Sequence, residues 1–275
     1  MQIDSHQHFW HYDSSQHNWI DEKMMAIRRD FQPPDLLPVL KQNNIDGSVV
    51  VQVDQNLEET NGLLALAGQH DFIKGVVGWV DLLSDEVEEQ LNVFKGNKML
   101  KGFRHIVQSE PEGFMLSQDF KHGISKLKNY GFTYDILIYP HQLNESLQLV
   151  TDFPDQLFVI DHLAKPYIAK GDISNWSKMI EKFKERTNVY CKISGMVTEA
   201  IWDQWQYDQL SPYLDVIFNV FGTDRVMFGS DWPVCLLAAE YEEVLSVVNK
   251  YTSAFSKDEK AKIYGQNACI FYDLN

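Results

Sequence analysis

Gly47-Ser48-Val49-Val50-Val51-Gln52-Val53, a helical stretch from about Leu57 to His70, and then Gly75-Val76-Val77-Gly78-Trp79-Val80 decide the architecture of this chain. Two short apolar runs with a whole helix between them cannot form a hairpin, so they pair in parallel through a crossover. Their near-continuous apolar character fits strands that are covered on both faces. Working outward, the same unit recurs. An apolar start runs into Ile3-Asp4-Ser5-His6-Gln7-His8-Phe9-Trp10, and the later strands read as Lys101–Ile106, Phe132–Tyr139, Leu157–His162, Val189–Gly195 and Arg225–Asp231, each followed by a helical stretch. Eight such units close a (β/α)8 TIM barrel, and the 275 residues, with no linker dividing them, read as one domain over 1–275. An open doubly wound sheet is the alternative, but no strand is followed by a GxGxxG or GxxxxGK[ST] phosphate cradle.

Local signals punctuate these units. Pro33-Pro34 opens a helix, Gly131 closes another, and Asp85 with Glu88 and Ser256 with Glu259 read as capping boxes. Residues 11–32 hold His11, Tyr12, His17 and Trp19 without a period, which points to an ordered flap over the end of strand one. With 44% hydrophobic residues the chain can build a sizeable core, while a net charge of −15 would repel nucleic acid and anionic membrane. A small molecule is the expected partner. Three widely spaced cysteines give neither a disulfide framework nor a thiolate metal site. A start that is polar by residue 4 has no signal-peptide pattern, and the expectation is a cytoplasmic protein.

Barrels place their chemistry at the carboxyl ends of their strands. His6 and His8, two residues apart on an extended strand, present both imidazoles to one side. Arg104 and His105 end strand four, His162 ends strand six and Asp231 ends strand eight. Closure sets strand eight beside strand one, so Asp231 should neighbour His6 and His8, with His105 and His162 facing them. Asp231 then serves as a metal ligand, as the base that activates water, or both. Arg104 and His105 are placed to stabilise an oxyanion; Arg104 also has the fork to grip a carboxylate or to pair with one of the chain's own acids. Trp10, Tyr139 and Trp232 follow strand ends, where they stack on a sugar-like ring or pack the rim. Asp4 is read as a group behind a ligand imidazole, and Asp135, in mid-strand, as structural.

With these positions on the page, the chain resembles the amidohydrolase superfamily, and within it the amidohydrolase-related branch that includes lactonases of sugar acids and of 2-pyrone-4,6-dicarboxylate. The resemblance is carried by the stretch from Ile3 to Trp10, by Lys101-Gly102-Phe103-Arg104-His105, by Asp161-His162-Leu163-Ala164-Lys165-Pro166, by Phe228-Gly229-Ser230-Asp231-Trp232-Pro233-Val234, and by Tyr264-Gly265-Gln266-Asn267-Ala268. It implies a hydrolase that opens a lactone such as L-fuconolactone or L-rhamnonolactone. In that reading Asp231, His162 and His105 are catalytic, while Arg104, Lys165, Trp10, Tyr139 and Trp232 meet the substrate. One divalent ion, Zn2+ on His6, His8 and Asp231, or none, is implied; strand five lacks the His or Lys of two-metal relatives. The same superfamily holds metal-dependent amidohydrolases and decarboxylases, and a barrel that binds a sugar without turning it over is a third alternative.

Overall fold

A computed structural model describes residues 1–274. Its eight parallel strands run in sequence order: β1 (Ile3–Gln7), β2 (Gly47–Val51), β3 (Ile73–Gly78), β4 (Leu100–His105), β5 (Thr133–Ile136), β6 (Phe158–Ile160), β7 (Val189–Ile193) and β8 (Val226–Phe228). The ring closes just past β8, where His8 N–H donates to the Trp232 carbonyl at 2.7 Å and Asp231 N–H to the His6 carbonyl at 2.9 Å. The expected (β/α)8 barrel is therefore what the chain forms. Strands β5, β6 and β8 are shorter than the sequence suggests, because their last residues leave the sheet to build the mouth.

Among the described residues, ten α-helices accompany the strands: α1 (Pro33–Gln42), α2 (Leu57–Ala67), α3 (Val87–Phe94), α4 (Gln118–Tyr130), α5 (Leu143–Asp152), α6 (Ser174–Ile180), α7 (Tyr207–Phe221), α8 (Tyr241–Tyr251), α9 (Lys257–Ala261) and α10 (Asn267–Phe271). Pro33 occupies the first turn of α1, and α4 stops at Gly131, whose φ of 79° suits a residue without a Cβ. The Ser256–Glu259 box forms, whereas the Asp85–Glu88 box does not: α3 starts at Val87 with Glu86 ahead of it and no side-chain cap. No described helix is long and apolar enough to cross a membrane.

The barrel interior has two levels. The lower one is apolar: Ile3, Val49, Val51, Val77, Val159 and Met227 meet Phe271, Tyr272 and Leu274, which plug the bottom at and just past the end of α10. The upper one is charged. The register of β1 against β2 slips between Asp4 and Gln7, so Ile3 faces the lower interior and His6 and His8 still face the upper.

Candidate active site

Above the charged level lies a cavity of about 650 Å³ whose lining includes His8, Arg104, His162 and Asp231. One wall is the flap. Trp10 and Phe31 exchange backbone hydrogen bonds at 3.0 Å, and Tyr12 N–H donates to Asp30 Oδ1 at 2.7 Å, tying the base of the loop. Its Gln16, Asn18, Trp19 and Met24 then face the cavity.

Four side chains converge on the floor. His6 Nε2 lies 3.2 Å from His8 Nε2 and 3.8 Å from Asp231 Oδ1, and His8 Nε2 lies 3.3 Å from the same oxygen. His162 Nε2 approaches that oxygen to 3.8 Å. His8 Nδ1 donates to the Val51 carbonyl at 2.7 Å, so its Nε2 keeps a free lone pair directed at this point. Donors about 2.1 Å from a tetrahedral ion lie about 3.4 Å apart. The His6, His8 and Asp231 donors are close to that spacing, and a nitrogen, nitrogen and carboxylate set suits Zn2+. The residues present fit such an ion.

Burial holds His6 and His162 well below the usual imidazole range and lowers His8 as well, so the rings are neutral at pH 7. Burial works the other way on Asp231, but the neighbouring His162, His8 and Lys165 outweigh it and hold the carboxyl below its ordinary value. An ionised carboxylate is thus set among neutral imidazoles. Two glycines make room for the rings: a Cβ at Gly229 would lie 2.7 Å from His6 Cβ, and one at Gly195 would lie 2.7 Å from His162 Nδ1.

The backbone decides which strand-end residues reach this floor. Asp161 continues the inward alternation of Val159. His162 ought to point outward, but residues 162–165 take φ values of 52°, 55°, 58° and 47°, a left-handed turn that swings its ring into the mouth. Asp231 keeps the inward parity of Met227 and also takes a left-handed φ, 60°. Such conformations cost of order 1–3 kcal/mol each and persist only where surrounding contacts enforce them. Here Trp176 Nε1 donates to the Leu163 carbonyl at 2.8 Å, and His162 Nδ1 meets Ser194 Oγ at 2.8 Å.

Other expected positions divide. Trp10, Tyr139 and Lys165 line the cavity, and Lys165 Nζ sits 5.6 Å over the Tyr139 ring and 4.0 Å from Glu199 Oε1. Arg104 also lines it, but its guanidinium is committed: Nη1 reaches Asp161 Oδ2 at 3.2 Å and His6 Nε2 at 3.3 Å, and Nη2 binds Gln52 through its carbonyl and its Oε1. The structural pairing considered for Arg104 is the one that forms. His105 is a correction. β4 stays extended through it, so the ring points away from the interior, 2.8 Å from Glu110 Oε1 and stacked on Phe114. Trp232 is another: it is buried against Phe9 and Phe31 and does not line the cavity. Asp4 holds backbone rather than an imidazole, accepting from the His6 and Ser230 N–H groups and so stapling β1 to the end of β8.

The sequence reading missed Lys192, Glu199, Trp19 and Trp202. Lys192 was detectable: a lysine in a strand covered on both faces is buried whichever way it points, and it therefore needs a partner. Its Nζ lies 2.5 Å from Asp135 Oδ2.

A parallel barrel that brings a His-x-His pair from its first strand, a histidine from its sixth and a carboxylate from its eighth to one floor defines a class of metal-site barrels with a polar reaction centre. The chain belongs to the amidohydrolase family, whose model matches residues 3–274. It is 35% identical over 286 residues to the L-fucono-1,5-lactonase of Burkholderia multivorans, covering 100% of this chain and 96% of that protein. A crystal structure of an amidohydrolase from Burkholderia multivorans with bound zinc superposes with a TM-score of 0.97 at 35% identity, each chain fully covered. The L-rhamnono-gamma-lactonase of Scheffersomyces stipitis is more distant, 26% identical with 85% and 86% covered.

Proposed function

We propose that the whole chain, 1–275, acts as one hydrolase domain that opens the ring of a sugar-acid lactone, L-fucono-1,5-lactone in the first place. The observation that carries this reading is an ionised Asp231 at the floor of a sugar-sized cavity, 3.3 Å from His8 and 3.8 Å from His6 and His162. Asp231 takes a proton from water as the water oxygen adds to the lactone carbonyl carbon. His162 stabilises the developing oxyanion. When the tetrahedral adduct collapses, the ring C–O bond breaks and the proton on Asp231 passes to the departing alkoxide, leaving a hydroxy acid. His6, His8 and Asp231 are the residues that would hold one divalent ion such as Zn2+, which when bound supplies Lewis acidity to the carbonyl and the water.

The charge balance favours a neutral polyol over a dicarboxylate. Of the cations at the mouth, Arg104 is spent on Asp161 and Gln52, and Lys165 faces Glu199. Among the described residues lining the cavity no cation is left over to neutralise two substrate carboxylates, while Trp19, Tyr139 and Trp202 offer flat surfaces for a sugar ring. A cytoplasmic location fits three free cysteines, two of them buried.

Proton release from L-fucono-1,5-lactone and L-rhamnono-gamma-lactone, followed with a pH indicator, tests the proposal. The expected result is hydrolysis far above the spontaneous rate and a fall in kcat of about 10²–10⁴-fold in Asp231→Asn, with binding of the product acid retained. Because the Asp231 carboxyl is held low and must be ionised, the rate should stay flat from pH 7 to pH 5 and fall only below the ordinary carboxylate range. Hydrolysis no faster than the spontaneous rate, or CO2 release from aromatic acids instead, would overturn it.

A further inference from the structure

Beneath the floor of the mouth sits a second group of buried charges that the hydrolytic scheme leaves unused. Lys192 projects inward from β7, with Nζ 2.5 Å from Asp135 Oδ2, 3.1 Å from Asp161 Oδ1 and 3.1 Å from His6 Nδ1. From the plug below, the Tyr272 hydroxyl donates to Asp135 Oδ2 at 2.7 Å. His6, Asp135, Asp161 and Lys192 have no solvent exposure, and Tyr272 has almost none. Asp135 Oδ1 accepts no hydrogen bond among the described residues, and Asp161 Oδ1 has as neighbours only Lys192 Nζ and, at 3.3 Å, His6 Nδ1.

Two carboxylates this deep require a cation, because ionised oxygens without one are strongly disfavoured at low dielectric. Arg104 reaches Asp161 Oδ2 and no oxygen of Asp135. The remaining compensation comes from one point, the Lys192 ammonium, on which two carboxylate oxygens and an imidazole nitrogen converge. Oxygen-rich sets of this kind are what hard divalent cations such as Mn2+ take. The ammonium supplies the positive charge without needing an ion from solution.

We propose that Lys192 is a resident cation standing where a second divalent ion would otherwise bind, so that the chain holds one ion at His6, His8 and Asp231 and none deeper. The proposal deepens the metal reading given above, and it rests on that reading only for the first of the two positions. Lys192 sets the number of ions through occupancy: its Nζ fills the space and its charge satisfies the same oxygens.

The test is a count of Mn2+ bound per chain, read from the loss of the free-ion electron paramagnetic resonance signal, in the full-length wild type and in Lys192→Ala. The variant should bind one more ion than the wild type. Equal counts in the two proteins, or two ions in the wild type, would overturn the proposal. Should Lys192→Ala fail to fold, Lys192→Ser, which also removes the ammonium and keeps both carboxylates, is counted in its place and read by the same rule. The two readings fail separately. No ion in the wild type and one in the variant would uphold the resident cation and sink the ion at the mouth; one ion in each would do the reverse.

Discussion

Arg104-His105 at the end of β4 and Asp161-His162 at the end of β6 are the same pattern in the sequence, a charged residue followed by a histidine where a strand meets the mouth. They end in different places. In both, the charged residue faces the barrel interior, and the two meet as an ion pair at 3.2 Å. The histidines separate because β4 remains extended through His105, so alternation sends that ring to the outer face, whereas β6 stops at Ile160 and the chain coils left-handed from His162 to Lys165. Entry to the mouth is therefore governed by the backbone conformation that follows the charged residue, more than by residue type or distance from the strand end.

The sharpest way to break this comparison is to remove the histidine that is turned in. His162→Asn should lower kcat for lactone hydrolysis by about 10²–10³-fold, the scale of losing one oxyanion donor, while the fold is retained. A variant with unchanged kcat would place the ring outside the chemistry. Gly195→Ala asks whether position alone matters. The new Cβ would lie 2.7 Å from His162 Nδ1, and Gly195 has a φ of 65°, so the ring must shift and the backbone is strained. The expected result is a drop in kcat of roughly tenfold and a stability loss of about 1–2 kcal/mol, read by steady-state kinetics and urea unfolding.

A smaller effect is expected from the support beneath the left-handed turn. Trp176→Phe keeps the packing and deletes the N–H that serves the Leu163 carbonyl at 2.8 Å. An acceptor left unmade in a buried site costs about 1–3 kcal/mol. If the turn relaxes toward an extended backbone in response, kcat should fall with stability; if only stability falls, the turn is held by its own packing.

The barrel was legible in the sequence because its strands are buried on both faces, and runs such as Val49-Val50-Val51 announce that without help from their surroundings. The histidines of β1 were legible for a similar reason, two positions of equal parity on one strand. The polarity of the mouth could be read from residue type, but its membership could not. Strand alternation would have excluded His105 and kept Arg104, yet it would also have excluded His162, whose placement depends on four consecutive positive φ values that no residue in Leu163-Ala164-Lys165 advertises. Trp232 failed for a simpler reason: Asp231 keeps the inward parity of Met227, and the residue next to it faces out and packs on Phe31.

The smallest effect is expected at His105, one of the three residues that the sequence alone offers as catalytic. His105 is buried, which lowers its pKa while Glu110 opposes that shift, and its ring meets Glu110 Oε1 at the outer edge of the barrel rather than lining the cavity. Glu110 is partly exposed and can be hydrated if its partner is removed. His105→Gln preserves a donor, and it should leave kcat and KM for the lactone within about twofold of wild type and cost at most about 1 kcal/mol, read by the same kinetics and by urea unfolding. A loss matching that of His162→Asn would mean that β4 rearranges when substrate binds and that the outward ring enters the mouth. A null result here beside a large one at position 162 would trace the difference between the two histidines to the left-handed turn, since the residues preceding them are equally buried and are paired with each other.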